Sequence, residues 1–508
     1  MNTKPSARSS LIWWIIASVA FLRLLYAIAF PLDLSGDEAY YWDWGRRLSW
    51  GYFSKPPLIA WLMALAGWLG GQTDTGIRIM AALLGTGSLL FCYLLTRQLW
   101  GRSAAFWAVL LTVASPGNVA LNLILTIDAP LVFFWSGALF FFYNLIHNRR
   151  YVRLWWVLTT VFLGLGLLSK QMMLAFYPMA IAYLANQPET RPLLRHRSLI
   201  SAALLSLSFL LPTLWWNATH EWITLAHTQH HFEGKSISLL GILSRAGEFL
   251  GSQIGLLSPV TAFAIALLGL QSMRSFRLLE AKARFLVIFS VPGLILVCLL
   301  LLRQGINANW PAVFYCGFFS LLGAAVAGSP GLPEHWRRHW PRWGIPAVAT
   351  GVLFALFTAA IPFLLQWTER TGSKLDPLVR LQGWSELAHE LQRYRELHQH
   401  ALTDPFLLTT GHRYTTSQLA FYLVDQPRVF RWPSEPGAVE SQYEIWGFDP
   451  ELQGRDALIL ASGDVPLLPE SLYSHFVSVR QVDTLEITIG DHHSRSYSLY
   501  IAKSFQLR

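Results

Sequence analysis

The sequence predicts a polytopic α-helical membrane protein that carries one soluble α/β domain at its carboxyl end. Three observations predict it. The 508 residues are 53% hydrophobic and 14% charged, with mean hydropathy +0.37; a soluble chain carries about 25% charged residues. Apolar runs long enough for a bilayer recur from the amino end to about residue 367. Beyond Thr368 the pattern changes to short alternating runs and one amphipathic helical stretch.

The first run, Leu11 to Phe30, follows Lys4 and Arg8. It exceeds the roughly 7–15 residues of a signal-peptide core, so it reads as a retained first helix. Ten further runs follow: Ile77–Leu95, Ala104–Leu121, Ala129–Ile146, Leu154–Leu168, Met172–Ala185, Leu199–Trp216, Ser252–Leu270, Phe285–Leu302, Pro311–Val326 and Gly344–Leu365. From these runs 11–13 transmembrane helices are expected. Leu58–Leu69, about a dozen residues, is too short for a comfortable crossing and is expected to be short, re-entrant or interfacial.

Net charge is +9, but the arginines are dispersed in loops: Arg149, Arg150 and Arg153; Arg191, Arg195 and Arg197; Arg274 and Arg277; Arg337, Arg338 and Arg342. That distribution is a positive-inside signature, not a nucleic-acid footprint. With the amino end inside, every cluster falls in the cytoplasm and the carboxyl domain falls outside. Cys92, Cys298 and Cys316 each lie in an apolar run and form neither a metal motif nor a disulfide framework.

The expected domains are 1–367 in the membrane and 368–508 outside it. In the second, Asp376 to His400 has the apolar spacing of a helix. Phe406–Thr409, Ala457–Ala461, Phe476–Val482 and Tyr497–Ile501 read as strands, with a helix near Tyr414–Tyr422.

Four elements gather on the outer face under this topology. Asp37 and Glu38 stand with Tyr40, Tyr41 and Trp42 just past the first span. Lys55 precedes Pro56-Pro57. Asp128 lies at the outer end of the third crossing, and Lys170 lies at a tight outer turn. Carboxylates beside hydrocarbon are expensive and mark functional positions. One can deprotonate an acceptor hydroxyl or hold a hard divalent metal, and a lysine can neutralise a phosphate. Together they describe transfer from a phosphate-activated donor. Each has a plainer reading as loop charge, helix cap or snorkelling end-of-helix lysine. Arg303, in the polar loop before Asn309-Trp310-Pro311, is a further phosphate candidate. A His-rich stretch (His220, His227, His230, His231, with Glu221, Glu233 and Glu248) has one i,i+4 pair, His227 and His231, of metal-ligand spacing. A solvated or substrate-contacting face fits that stretch better.

Gly36-Asp37-Glu38-Ala39-Tyr40-Tyr41, Lys55-Pro56-Pro57-Leu58, Thr126-Ile127-Asp128-Ala129-Pro130-Leu131, Leu168-Ser169-Lys170 and Asn307-Ala308-Asn309-Trp310-Pro311 together resemble the bacterial family-39-like glycosyltransferases. These are relatives of protein O-mannosyltransferases and of the aminoarabinose transferase that modifies lipid A. The resemblance covers the membrane half. It implies a GT-C fold, a polyprenyl-phosphate-linked sugar donor, and inverting transfer to a lipid or glycan acceptor at the periplasmic face of a bacterial inner membrane. Asp37, Glu38 and Asp128 are then the catalytic candidates, with base and support exchangeable between Asp37 and Glu38. Lys55, Tyr40, Tyr41, Lys170 and Arg303 are the substrate-binding candidates. Asp37 and Asp128 are the candidate ligands of a divalent ion (Mg²⁺, Mn²⁺, Ca²⁺ or Zn²⁺). Partners are donor, acceptor and membrane lipids, with no nucleic acid. A protein O-glycosyltransferase of the same fold and a lipid or solute transporter are the alternatives. A transporter would place its acids near the midplane and often shows inverted repeats, neither of which is visible.

Overall fold

A computed structural model describes residues 7–232, 238–398, 405–463 and 468–507, without the side chains of 7–10 and 230–232. Lys4 and Glu233 therefore lie outside the described residues, as do the side chains of Arg8, His230 and His231. The chain forms two compact units that interleave along the sequence. One comprises Met1–Ala29, Lys55–Ile59 and Leu69–Ala359; the other comprises Phe30–Ser54, Ala60–Trp68 and Ala360–Arg508.

The first unit is helical. Among the described residues, seven helices are long and apolar enough to cross a membrane: Leu11–Ala29, Asp74–Trp100, Asp128–His147, Val152–Ser169, Arg197–Thr219, Ala281–Leu300 and Glu334–Trp367. An eighth results if Leu239–Leu257 and Pro259–Arg274, bent by 110°, count as one broken span. The expected count of 11–13 is higher because it includes apolar runs whose helices stop early. Arg102–Val113 ends before Pro116, which opens a separate short helix. Phe176–Asn186 has 11 residues and Ala312–Val326 has 15. Proline lacks the amide that continues a helix, and each break exchanges length for a turn. At the bent pair, Ser258 holds φ +71 directly before Pro259.

The core of this unit is aromatic. Trp135, Phe142, Phe176, Phe285, Phe289 and Phe314 interlock at ring distances of 4.6–6.5 Å. Several buried polar side chains inside it pair with one another, which offsets the cost of leaving them in hydrocarbon. Gln98 and Asn144 exchange two amide hydrogen bonds of 2.9 Å, and Thr96 donates to Ser320 at 2.8 Å.

The second unit contains a five-stranded sheet: β1 (Phe406–Thr409), β2 (Val429–Arg431), β3 (Ala457–Ser462), β4 (Phe476–Ile489) and β5 (His493–Phe505), ordered β2-β1-β3-β5-β4. The first three are parallel; β5 is antiparallel to β3 and β4. All four expected strands form. The two expected from Phe476 and Tyr497 extend into one long hairpin, and β2, three residues long, was not expected. The amphipathic helix runs Trp384–Leu397 and buries Leu387, Ala388 and Leu391. It starts later than the apolar spacing suggests because Gly383, at φ +80, breaks the chain just before it. Upstream, the Asp376 carboxylate accepts the amides of Gly372 (2.9 Å) and Leu378 (2.7 Å) and holds a turn. The second helix, Arg413–Tyr422, packs against the helix Gly36–Gly45 of the first loop.

Candidate functional site: two carboxylate centres

Asp128 sits at the first position of the helix Asp128–His147, where a negative charge meets unpaired backbone amides and the positive end of the dipole. It is only 3% exposed. Its Oδ1 accepts from Lys170 Nζ at 2.8 Å and its Oδ2 from Asn309 Nδ2 at 2.5 Å. Lys170 follows directly on the helix Val152–Ser169, and Asn309 belongs to the turn before Ala312–Val326. Three distant segments thus close on one acid. Asp128 and Asn309 also line an otherwise largely apolar cavity of about 260 Å³, with Asn118, Asn122, Tyr315 and Phe319. A fully paired buried carboxylate is costly to disturb, because removing either partner leaves the other charge uncompensated.

Asp37 lies in the first turn of the helix Gly36–Gly45. Ser35 and Glu38 form a capping box there. Glu38 N donates to Ser35 Oγ (3.2 Å), and Ser35 N donates to Glu38 Oε2 (2.9 Å). Glu38 is 1% exposed and its carboxylate is committed to that cap. Asp37 is different: its side chain is 39% exposed, and its Oδ1 faces Tyr414 Oη at 3.1 Å and Arg413 Nη2 at 3.5 Å. It borders a cleft of about 760 Å³ whose walls include Arg380, Trp384, His412, Tyr414, Arg495 and Tyr497.

The charges around the cleft follow from burial and proximity. Burial, then the Asp37 charge, pushes the Tyr414 hydroxyl up to about 12, so it remains a donor at neutral pH. Burial, with Arg413 and Arg431 beside it, holds His412 below the usual imidazole range.

Of the remaining candidates, Tyr40 and Tyr41 are buried, 1% and 4% exposed. Tyr40 Oη accepts the Gln442 amide at 2.6 Å, and its ring packs on Tyr443 and Trp44. Rings placed this way contribute packing; neither offers an open face to a sugar. Lys55 is half-buried in the bend leading into Leu58–Gly70. Arg303 is exposed in the turn after Val291–Leu300, apart from the residues that line the cavity. His220 stacks on Trp216 at 4.0 Å, with its Nδ1 2.8 Å from the Trp216 carbonyl.

Neither carboxylate has the surroundings of a divalent-cation ligand within its own unit. Asp128 is neighboured by an ammonium and an amide NH₂, and Asp37 by a guanidinium and a phenol. Hard cations take several oxygen ligands, and positive neighbours repel them. Among the described residues, no three His, Cys, Asp or Glu side chains group to hold a metal.

Sequence reading missed Arg413 and Tyr414. Their signal was faint: a Gly-His-Arg-Tyr run opening the helix after β1, with a cation and a phenol adjacent. It also named the Asn307–Pro311 motif without singling out Asn309.

Residues 54–216 match the family model described as dolichyl-phosphate-mannose-protein mannosyltransferase. The chain is 28% identical over 446 residues to the lipid A galacturonosyltransferase RgtD of Rhizobium johnstonii, covering 86% of this chain and 88% of that protein. It is 30% identical over 178 residues to the undecaprenyl phosphate-α-4-amino-4-deoxy-L-arabinose arabinosyl transferase of Pseudomonas aeruginosa, 34% of this chain and 32% of that one. Among solved structures, apo ArnT from Cupriavidus metallidurans matches with TM-score 0.62 at 14% identity, covering 97% of this chain and 98% of that chain. The same protein bound to undecaprenyl phosphate matches at 0.61 and 15%, with the same coverage. At such identities the structural likeness establishes the fold.

Proposed function

We propose that this chain, a multi-pass membrane glycosyltransferase of the ArnT/PMT-related GT-C kind, moves a sugar from a polyprenyl-phosphate carrier to lipid A or a related envelope glycolipid. The observation that carries the acceptor is the relationship to a lipid A galacturonosyltransferase along 86% of the chain, membrane and soluble parts together. The arabinosyl transferase relative is named for an undecaprenyl-phosphate donor, which supports the same carrier here.

In the proposed reaction the acceptor oxygen bonds to the anomeric carbon of the sugar. The bond from that carbon to the carrier phosphate breaks, and the phosphate departs with the electron pair, so configuration inverts. Asp37 takes the acceptor proton: it is the more exposed of the two adjacent acids, and Glu38 is occupied as a cap. Lys55 neutralises the departing phosphate. Asp128 and Lys170 act as a positioning pair that holds the Asn309 turn against the cavity. The cleft beside Asp37 takes the polar head of the acceptor, with Arg380 among its walls. No step is routed through a metal.

The loop arginines support a periplasmic site and a periplasmic soluble domain. Ser385→Cys should react with a membrane-impermeant maleimide in intact spheroplasts; labelling only after lysis reverses the orientation.

A second reading, transfer to protein, draws on the family model and on the match to a Candida albicans protein mannosyltransferase over 31% of this chain. One assay separates the two. Purified enzyme is given undecaprenyl-phosphate-linked galacturonic acid, aminoarabinose or mannose together with lipid A and a Ser/Thr-rich peptide, and products are weighed by mass spectrometry. A one-sugar gain on lipid A is expected. A gain on the peptide alone selects the second reading, and none on either sinks both.

A further inference from the structure

The helix Arg413–Tyr422, 376 residues downstream of the first-loop acid, is tied to the segment around Asp37 by several independent contacts. Leu34 N donates to Tyr422 Oη and Gln418 Nε2 donates to the Leu34 carbonyl, each at 2.7 Å. At the first residue of the helix Trp384–Leu397 the chain adds another tie: Trp384 N donates to Asp33 Oδ2 at 2.7 Å. Gly36 lies flat against the Tyr414 ring, so that a Cβ there would fall 2.3 Å from Tyr414 Cγ. The aromatic ring therefore reaches the backbone of the residue before the acid.

At the end of that contact Asp37 Oδ1 receives two donors, the Tyr414 hydroxyl at 3.1 Å and the Arg413 guanidinium at 3.5 Å. The guanidinium is itself held over the Tyr40 ring at 5.1 Å and the Tyr414 ring at 5.0 Å. Two donors on one oxygen fix the plane of the carboxylate. They leave Oδ2, which carries no hydrogen bond among the described residues, as the oxygen available to a ligand in the cleft.

We infer that Arg413 and Tyr414 are positioning residues for the transfer reaction, holding the Asp37 carboxylate aimed so that the soluble unit completes the catalytic loop. This rests on the reading of Asp37 as the base. The Tyr414 hydroxyl stays protonated across the working range because burial and the Asp37 charge both push it up.

The test uses the full-length enzyme in nanodiscs and steady-state kinetics with both substrates varied. Tyr414→Phe keeps the ring against Gly36 and removes only the hydroxyl; Arg413→Gln removes the charge, and Arg413→Lys restores it. A hydrogen bond to a charged group is worth enough that kcat should fall roughly 10- to 100-fold in Tyr414→Phe and in Arg413→Gln. KM for donor and acceptor should stay within about twofold, and Arg413→Lys should recover part of the loss. A purely structural role would instead lower the melting temperature and scatter KM and kcat together; that result overturns the inference. So does a wild-type kcat in both Tyr414→Phe and Arg413→Gln when Asp37→Asn is inactive. An active Asp37→Asn is a different failure: it removes Asp37 as base, and with it the premise.

Discussion

Asp128 and Asp37 are both acids at the start of a helix, yet their surroundings differ in kind. Asp128 is sealed: both oxygens are taken, one by an ammonium and one by an amide, and almost none of its surface is open. Asp37 is held by one oxygen only, with more than a third of its side chain exposed beside a cleft. A carboxylate with no spare lone pair facing solvent serves as an anchor, whereas one that is fixed but open can accept a proton. The same residue type thus does two jobs, and the number of donors around it separates them.

Substitutions at four places sharpen or break that contrast. The largest effect is expected at the open acid. Asp37→Asn should lower kcat by about 100-fold or more, the lower end of what a general base supplies, with an unchanged melting curve; wild-type turnover would break the contrast at once. At the sealed acid the effect should be on stability. Lys170→Met leaves a buried carboxylate without its counter-charge and should cost about 3–5 kcal/mol, followed by thermal unfolding in detergent. The pair replaced together, Asp128→Leu with Lys170→Met, should recover most of that loss. If the double variant is no more stable than the single, the pair is not the anchor.

Next is the cap. Glu38→Ala should destabilise by about 1 kcal/mol through loss of the reciprocal bond to Ser35, and Glu38→Gln, which still accepts, should retain activity. Inactive Glu38→Gln would return Glu38 to a chemical role.

The smallest effect concerns acid sensitivity. His412 caps its helix through Nδ1, which accepts the Tyr414 amide at 3.3 Å. Its folded pKa lies below the usual 6.5, through burial and then Arg413 and Arg431, against Asp37 and Glu440. The unfolded chain then binds the proton more readily. The stability contributed by neutral His412 is complete above about 6.5 and declines as pH falls toward the lowered folded value. His412→Asn keeps a cap acceptor without titrating, so its melting temperature should fall less than wild type between pH 7 and pH 5. Parallel curves would show that His412 does not contribute.

The legibility of the molecule tracks the range of the interactions involved. The long spans were readable because hydrocarbon requires about 20 consecutive apolar residues, a local property. Fewer helices reach that length among the described residues where a proline or a left-handed residue interrupts a run, as at Pro116 and Ser258. β1, β3 and the helices Trp384–Leu397 and Arg413–Tyr422 were readable from alternation and spacing. β2, only three residues long, has too little pattern to register. Asp37, Asp128 and Lys170 were identifiable because charge beside hydrocarbon is conspicuous, but the Asp128–Lys170 bond was not.

By itself the sequence determined that this chain spans a membrane, carries a soluble α/β portion and keeps acids and lysines at segment ends, since solvation and periodicity act on neighbours in the chain. Only the tertiary structure decided what each of those charges touches. Glu38 became a cap, Asp128 a sealed partner of Lys170 and Asn309, and Asp37 an open acid held by Arg413 and Tyr414. Hydrogen bonds act over about 3 Å whatever the separation in sequence, so contacts between residues hundreds of positions apart leave no periodic trace to read.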